Sequence, residues 1–168
     1  FADGAPVAAF EMKVADIEKA RAIALIGCNP RQEMPLLAHR IRTAWKAGAK
    51  VFAINPLDFD LNFDLAAKTI VTPAAMVDAL LKLAKAVNDA GHLPESHDLA
   101  QLISGIQADD ASRALFKALN DASAKVLILG ECAAQHPQAS VLRAAARFVA
   151  KHTGCAYDEV PSGANDVG

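Results

Sequence analysis

Four short apolar runs, at residues 23–26, 51–54, 69–71 and 126–129, constrain the fold of this 168-residue chain most strongly. They are close to continuous in Ile, Val, Leu and Ala instead of alternating with polar residues. Strands of that kind have apolar surroundings on both faces, as in a parallel sheet covered by helices on each side. Between the runs, apolar residues recur at helical spacing. Leu36, Leu37, Ile41, Ala44 and Trp45 make one stripe, with Pro35 at the favoured first position and Gly48 as a stop. A second helix is expected from Thr72-Pro73 to Gly91, burying Met76, Val77, Leu80, Leu81, Ala84 and Val87. Leu99, Leu102, Ile103 and Ile106 mark a third. Ala114, Leu115, Ala118 and Leu119 mark a fourth, opened by Asp109 or Asp110, and a fifth is expected from Pro137 to about Thr153, closed by Gly154.

Strands alternating with helices require right-handed crossovers. The expected fold is therefore α/β: a Rossmann-like three-layer domain, mostly parallel sheet with helices on both faces. One domain is expected over residues 1–168, with 88–124 as a helical excursion inside it. Aromatic residues are only 5% of a chain that is 53% hydrophobic, so the core must be built mainly from Ala, Leu, Val and Ile.

A net charge of −2 gives no footprint for nucleic acid. No apolar stretch approaches the roughly 20 residues that a membrane span needs, and no direct insertion is expected. Charge is nevertheless uneven. Arg31, Arg40, Arg42, Lys46 and Lys50 stand against Glu33 alone in residues 31–50, while residues 88–124 are acidic. Two solvated faces account for this pattern, and the sharper expectation is docking, with the Arg31–Lys50 stretch as one surface. The chain begins at Phe1 without a basic leader region, and "VPSGANDVG" ends it without a helix cap, so a piece of something longer is expected. Cys28, Cys132 and Cys155 lie far apart with no CxxC, which argues against a disulfide framework and against a Cys₄ iron–sulfur cluster.

An internal echo locates the candidate site. "ALIGCNPRQEMPLL" (24–37) and "LILGECAAQHPQAS" (127–140) both run from strand to Gly to a polar loop and then to Pro. Two such turns would share the carboxyl edge of one sheet, where open α/β sheets bind ligands. A dinucleotide fingerprint needs G-x-G-x-x-G and a P-loop needs Gly-Lys-Ser/Thr, and neither is present around Gly27. The five histidines form no HxxxH or HExxH pattern, although His92 and His97 flank one loop and could meet. Cys28 is the one nucleophile worth weighing, since a thiol near a helix start can have a lowered pKa. With no His near it in sequence, a plain turn cysteine is the better expectation.

The stretch "DIEKARAIALIGCNPRQEMPLLAHRIRTAWKAGAKVFAINP" resembles the large iron–sulfur subunit of bacterial NADH-quinone oxidoreductase, respiratory complex I, in the section similar to molybdopterin oxidoreductases. The likeness rests on residues 15–20, Ile26-Gly27-Cys28-Asn29-Pro30-Arg31, Gly48-Ala49-Lys50-Val51 and Ile54-Asn55-Pro56. "KVLILGECAAQHPQASVL" and the closing "GANDVG" extend it, and residues 88–124 carry it least. It implies that the turns at Gly27, Asn29, Pro30 and at Asn55, Pro56 correspond to cofactor contacts in the true molybdenum enzymes. Asn55 stands where an Asp is usual, and "VTPAA" (71–75) replaces a Pro-Gly-Thr-Asp element, so the cradle is expected to be vestigial.

The resemblance further implies a non-catalytic structural and interaction domain, with no cofactor in this piece and iron–sulfur clusters elsewhere in the parent chain. Its partners would be other regions of the same subunit and neighbouring peripheral-arm subunits, on the cytoplasmic side of the inner membrane. The parent assembly would pass electrons from NADH through FMN and iron–sulfur clusters to quinone. The alternative is a fragment of a molybdopterin-guanine-dinucleotide oxidoreductase that still binds cofactor, and a third possibility is an independent nucleotide-binding enzyme.

Overall fold

The computed structural model describes residues 10–160. The closing "GANDVG" of the resemblance lies outside the described residues. A 3-10 helix (Val14–Lys19) leads into β1 (Ala22–Ile26), and then come α1 (Pro30–Glu33), α2 (Pro35–Lys46), β2 (Lys50–Asn55) and β3 (Ala67–Ile70). The rest is α3 (Pro73–Asp89), α4 (His97–Ser104), α5 (Asp110–Asp121), β4 (Lys125–Leu129), α6 (Glu131–Ala134), α7 (Ala139–Thr153) and β5 (Ala156–Glu159).

The five strands form one all-parallel sheet in the order β3-β2-β1-β4-β5. The central three run flush, with Ile26 level with Ile54 on one side and Leu129 on the other. Their inward residues divide cleanly by parity. Ala22, Ala24, Ile26, Ile54, Leu127 and Leu129 pack against α3, α5 and α7, and Ile23, Leu25, Val51, Val126 and Ile128 pack against α2 and the 3-10 helix. The three-layer α/β architecture follows from that division.

Three local expectations need correction, and one connection that carried no expectation is a loop. The 69–71 run falls only in part in a strand, β3, which ends at Ile70, lies at the edge of the sheet and is largely exposed. The β2–β3 crossover is a loop, residues 56–66, which buries Leu61 and Phe63 on the α2 face where a crossover helix would lie. The 99–106 helix begins earlier, at His97, because the Ser96 hydroxyl accepts the Leu99 N–H, and Ser104 ends it. The last helix starts at Ala139, two residues past Pro137. Asp109 is the cap of α5, accepting from the Ser112 N–H at 2.8 Å.

Strand β5 was not legible in the sequence. "AYDE" looks polar, yet Asp158 and Glu159 are buried. Glu159 is satisfied by both guanidinium prongs of Arg143 on α7 (2.7–3.0 Å) and by the Tyr157 hydroxyl. Asp158 accepts the Glu11 N–H at 2.6 Å. Glu11 and Arg143 reach these acids from outside the strand, and such partners are what make two acids tolerable inside a sheet.

Candidate functional site at the carboxyl edge of the sheet

Strand order reverses between β1 and β4, so the crevice outside their carboxyl ends is where a sheet of this class places a ligand. The two echoed turns meet there. Each runs strand, glycine, a four-residue helix (α1 or α6), then a long helix (α2 or α7).

The turns interlock through main chain. Gly27 N–H donates to the Ile54 carbonyl (2.8 Å), Gly130 N–H to Ile26 (2.9 Å) and Cys132 N–H to Gly27 (3.0 Å). A Cβ on Gly130 would lie 2.3 Å from Cys28 Cα, and one on Gly27 would lie 2.7 Å from Ala133 N with φ at +56°. Neither position has room for a side chain. The glycines let the two turns touch backbone to backbone.

Asn55, at the end of β2, fixes this contact from the side. It is 1% exposed, and its Oδ1 accepts the Cys28 N–H (2.9 Å) while its Nδ2 donates to the Cys28 carbonyl (3.1 Å). A carboxylate there would lose the donor, which gives a physical reason for Asn at this position. Pro56 follows half-buried, and buried Pro30 opens α1 with Asn29 as its N-cap residue. Asn29 is buried, and its Oδ1 has no partner among the described residues.

Sequence reasoning missed Glu33. One of its oxygens accepts the Asn29 N–H at 2.6 Å, and the other accepts the Glu131 N–H at 2.9 Å. A single half-buried carboxylate thus spans both turns. In the sequence Glu33 is one acid within a basic stretch, and nothing local marks its second partner, 98 residues away.

The same carboxylate argues against a nucleophilic Cys28. Burial pushes that thiol well above its usual value, and the nearby Glu33 charge pushes it further. Burial first, then Glu33 and Glu131, also raise exposed Cys132. Neither provides a thiolate near neutral pH. His92 does not meet His97: its ring stacks on His152 at 4.8 Å, and His97 opens α4. The 71–75 stretch opens α3, where the Pro73 carbonyl lies 3.1 Å from a His136 ring nitrogen. Among the described residues no group of three or more His, Cys, Asp or Glu is placed to hold a metal, and no helix is long and apolar enough to cross a membrane.

Next to the rim, a cavity of about 260 Å³ opens between Ile54, Thr69, Ala79, Lys82, Ser112 and Leu115. Its charged edge is internally paired, with Lys82 bridging Asp78 (2.9 Å) and Asp109 (3.8 Å). On the basic face, Arg31 pairs with Asp60 at 2.8 Å and Arg40 with Glu18. Arg42, Lys46 and Lys50 have no ion-pair partner among the described residues.

Comparison with known proteins gives this arrangement a family. Among solved structures, the chain is similar to one from the formyltransferase/hydrolase complex of Methylorubrum extorquens, crystallised with methylofuran. The TM-score is 0.53 at 14% identity, covering 90% of this chain and 39% of that one, so the likeness is one of fold and the chain spans well under half of that neighbour. The family model described as molybdopterin oxidoreductase matches residues 2–165. With nearly the whole chain matched by that model, and a switch-point crevice where such a fold keeps its ligand site, this chain belongs to the molybdopterin oxidoreductase family.

Proposed function

We propose that this domain serves as a non-catalytic structural and interaction module of a longer redox protein. On the residues noted above, that protein is the large iron–sulfur subunit of an NADH-quinone oxidoreductase. The observation that carries the reading is the closed rim. Glu33 takes one main-chain donor from each turn, and the turns are in backbone contact at Gly130 and Cys28. A pyrophosphate-bearing cofactor needs such donors free and a neutral or positive surround. The residues at Gly27, Asn29, Pro30, Asn55 and Pro56 therefore do not fit the group well: they outline a cradle whose contents are the chain's own. The domain's role would be to pack against other regions of its subunit and neighbouring peripheral-arm subunits. Arg42, Lys46 and Lys50 would offer a basic docking face, and the assembly would sit at the cytoplasmic side of the inner membrane. Iron–sulfur clusters would belong to the rest of the parent chain.

A second reading has the family match behind it. A fragment of a molybdopterin-guanine-dinucleotide oxidoreductase that holds cofactor agrees better with the family's description, and buried, unpartnered Asn29 Oδ1 would give such a ligand one contact. A melting experiment on purified protein with GDP, which carries the guanine and diphosphate of that arm, separates the two. A ligand at 100 times its Kd adds about 2.7 kcal/mol, or roughly 5–10 °C for a chain of this size. The scaffold reading expects no shift. A shift of that size, or molybdenum and pterin recovered with the full-length protein, would establish the second reading instead.

A further inference from the structure

We infer that the Glu33 carboxylate is a built-in anion that seals the rim against phosphate-bearing ligands. The inference rests on the scaffold reading and names the residue responsible for it. Sheets of this class seat phosphate against main-chain N–H groups of the turns at the switch point. Here the N–H groups of Asn29 and Glu131, one from each turn, end on the two oxygens of Glu33 at 2.6 and 2.9 Å. The carboxylate does for the two turns what two oxygens of a bridging phosphate would do: it satisfies a donor on each and ties them together. It also brings a negative charge, so an incoming phosphate would meet repulsion at the place where it needs donors. The sealing is local to one side chain, since Asn55 and the two glycines hold the turns by contacts that do not involve Glu33.

The experiment compares wild type, Glu33→Ala and Glu33→Gln by thermal melting in sodium chloride, sodium formate and inorganic phosphate, and wild type also with GDP. Losing two hydrogen bonds to a charged acceptor should lower the melting temperature of Glu33→Ala by about 5–10 °C. Formate or phosphate, entering the vacated space, should restore at least half of that drop. Glu33→Gln keeps the shape but turns one acceptor into a donor facing an N–H, so it should melt below wild type without anion rescue. Wild type should respond to neither anion. A Glu33→Ala protein as stable as wild type, or one whose loss no anion repairs, overturns the inference and leaves the scaffold reading standing. If Glu33→Ala does not fold, an undiminished melting temperature in Glu33→Gln overturns it. Stabilisation of wild type by GDP would overturn the scaffold reading itself, and the seal with it.

Discussion

Asn55 grips Cys28 by both main-chain polar groups, accepting from its N–H at 2.9 Å and donating to its carbonyl at 3.1 Å, with the pair fully enclosed. That relationship makes the end of β2 part of the β1 turn. It also sets the chemistry of position 55, because the amide offers both an acceptor and a donor there, whereas an ionised carboxylate of the same shape only accepts.

Replacing Asn55 with Asp tests the grip. The variant would leave the Cys28 carbonyl unpaired and bury a carboxylate beside it, a cost of about 2–4 kcal/mol at neutral pH. The melting temperature should fall by roughly 5–15 °C at pH 7.5. Burial raises the pKa of such a carboxyl, so the protonated form regains a donor and the penalty should shrink toward pH 5. A penalty that does not vary with pH would show that the donor to Cys28 is not what matters.

Two glycines should behave in opposite ways. Alanine at Gly130 puts a methyl group 2.3 Å from Cys28 Cα and 2.6 Å from the Gly27 carbonyl oxygen, where neither neighbour is a flexible side-chain end. The cost should exceed the 1–3 kcal/mol typical of overpacking. Alanine at Gly105 meets nothing within 4 Å, and its backbone is in an ordinary region. Gly105→Ala should change stability by less than about 0.5 kcal/mol. Urea unfolding of the two variants checks the contrast.

Much of this was readable in the chain. The central strands showed as unbroken apolar runs because helices cover both of their faces, and α2 and α3 showed through their stripes and opening prolines. The echo correctly paired the two rim turns. What stayed hidden depends on distant partners. β5 carries Asp158 and Glu159, which are acceptable in a sheet only because Glu11 and Arg143 reach them. Glu33 gave no signal because its role needs Glu131 from the other turn. At β3 local apolarity overstated burial, since no helix follows β2 to cover that edge.

Asp158 should leave a pH signature. Burial raises its carboxyl to about 6 from the ordinary 3.8, only partly offset by the N–H groups of Glu11 and Met12. The folded state therefore holds a proton that the unfolded chain has released, and stability falls as pH rises from about 4 to 6. Asp158→Asn keeps an acceptor for the Glu11 N–H and removes the charge. It should match wild type near pH 4 and exceed it at pH 7.5 by about 2 kcal/mol, or roughly 4–8 °C. Melting curves at the two pH values measure the difference, and a variant less stable than wild type at pH 7.5 would mean that the ionised form is the one the fold favours.

His152 should act in the opposite direction. Burial first, then the charges of His92 and Lys151, hold its pKa below the usual 6.5, with Glu95 pulling weakly the other way. Its Nε2 is buried without a hydrogen-bond partner among the described residues, and its ring meets His92 at a tilt and Phe148 edge-on, with centroids 4.8 Å apart in each case. Protonation would place a cation against His92 and Lys151, so the unfolded chain takes up the proton first. Stability from this residue is present above pH 6.5 and is lost as pH falls below it. His152→Phe keeps a ring against Phe148 and cannot be protonated, so its melting temperature should decline less than that of wild type between pH 7 and 5. Equal declines in the two proteins would place the acid sensitivity elsewhere in the molecule.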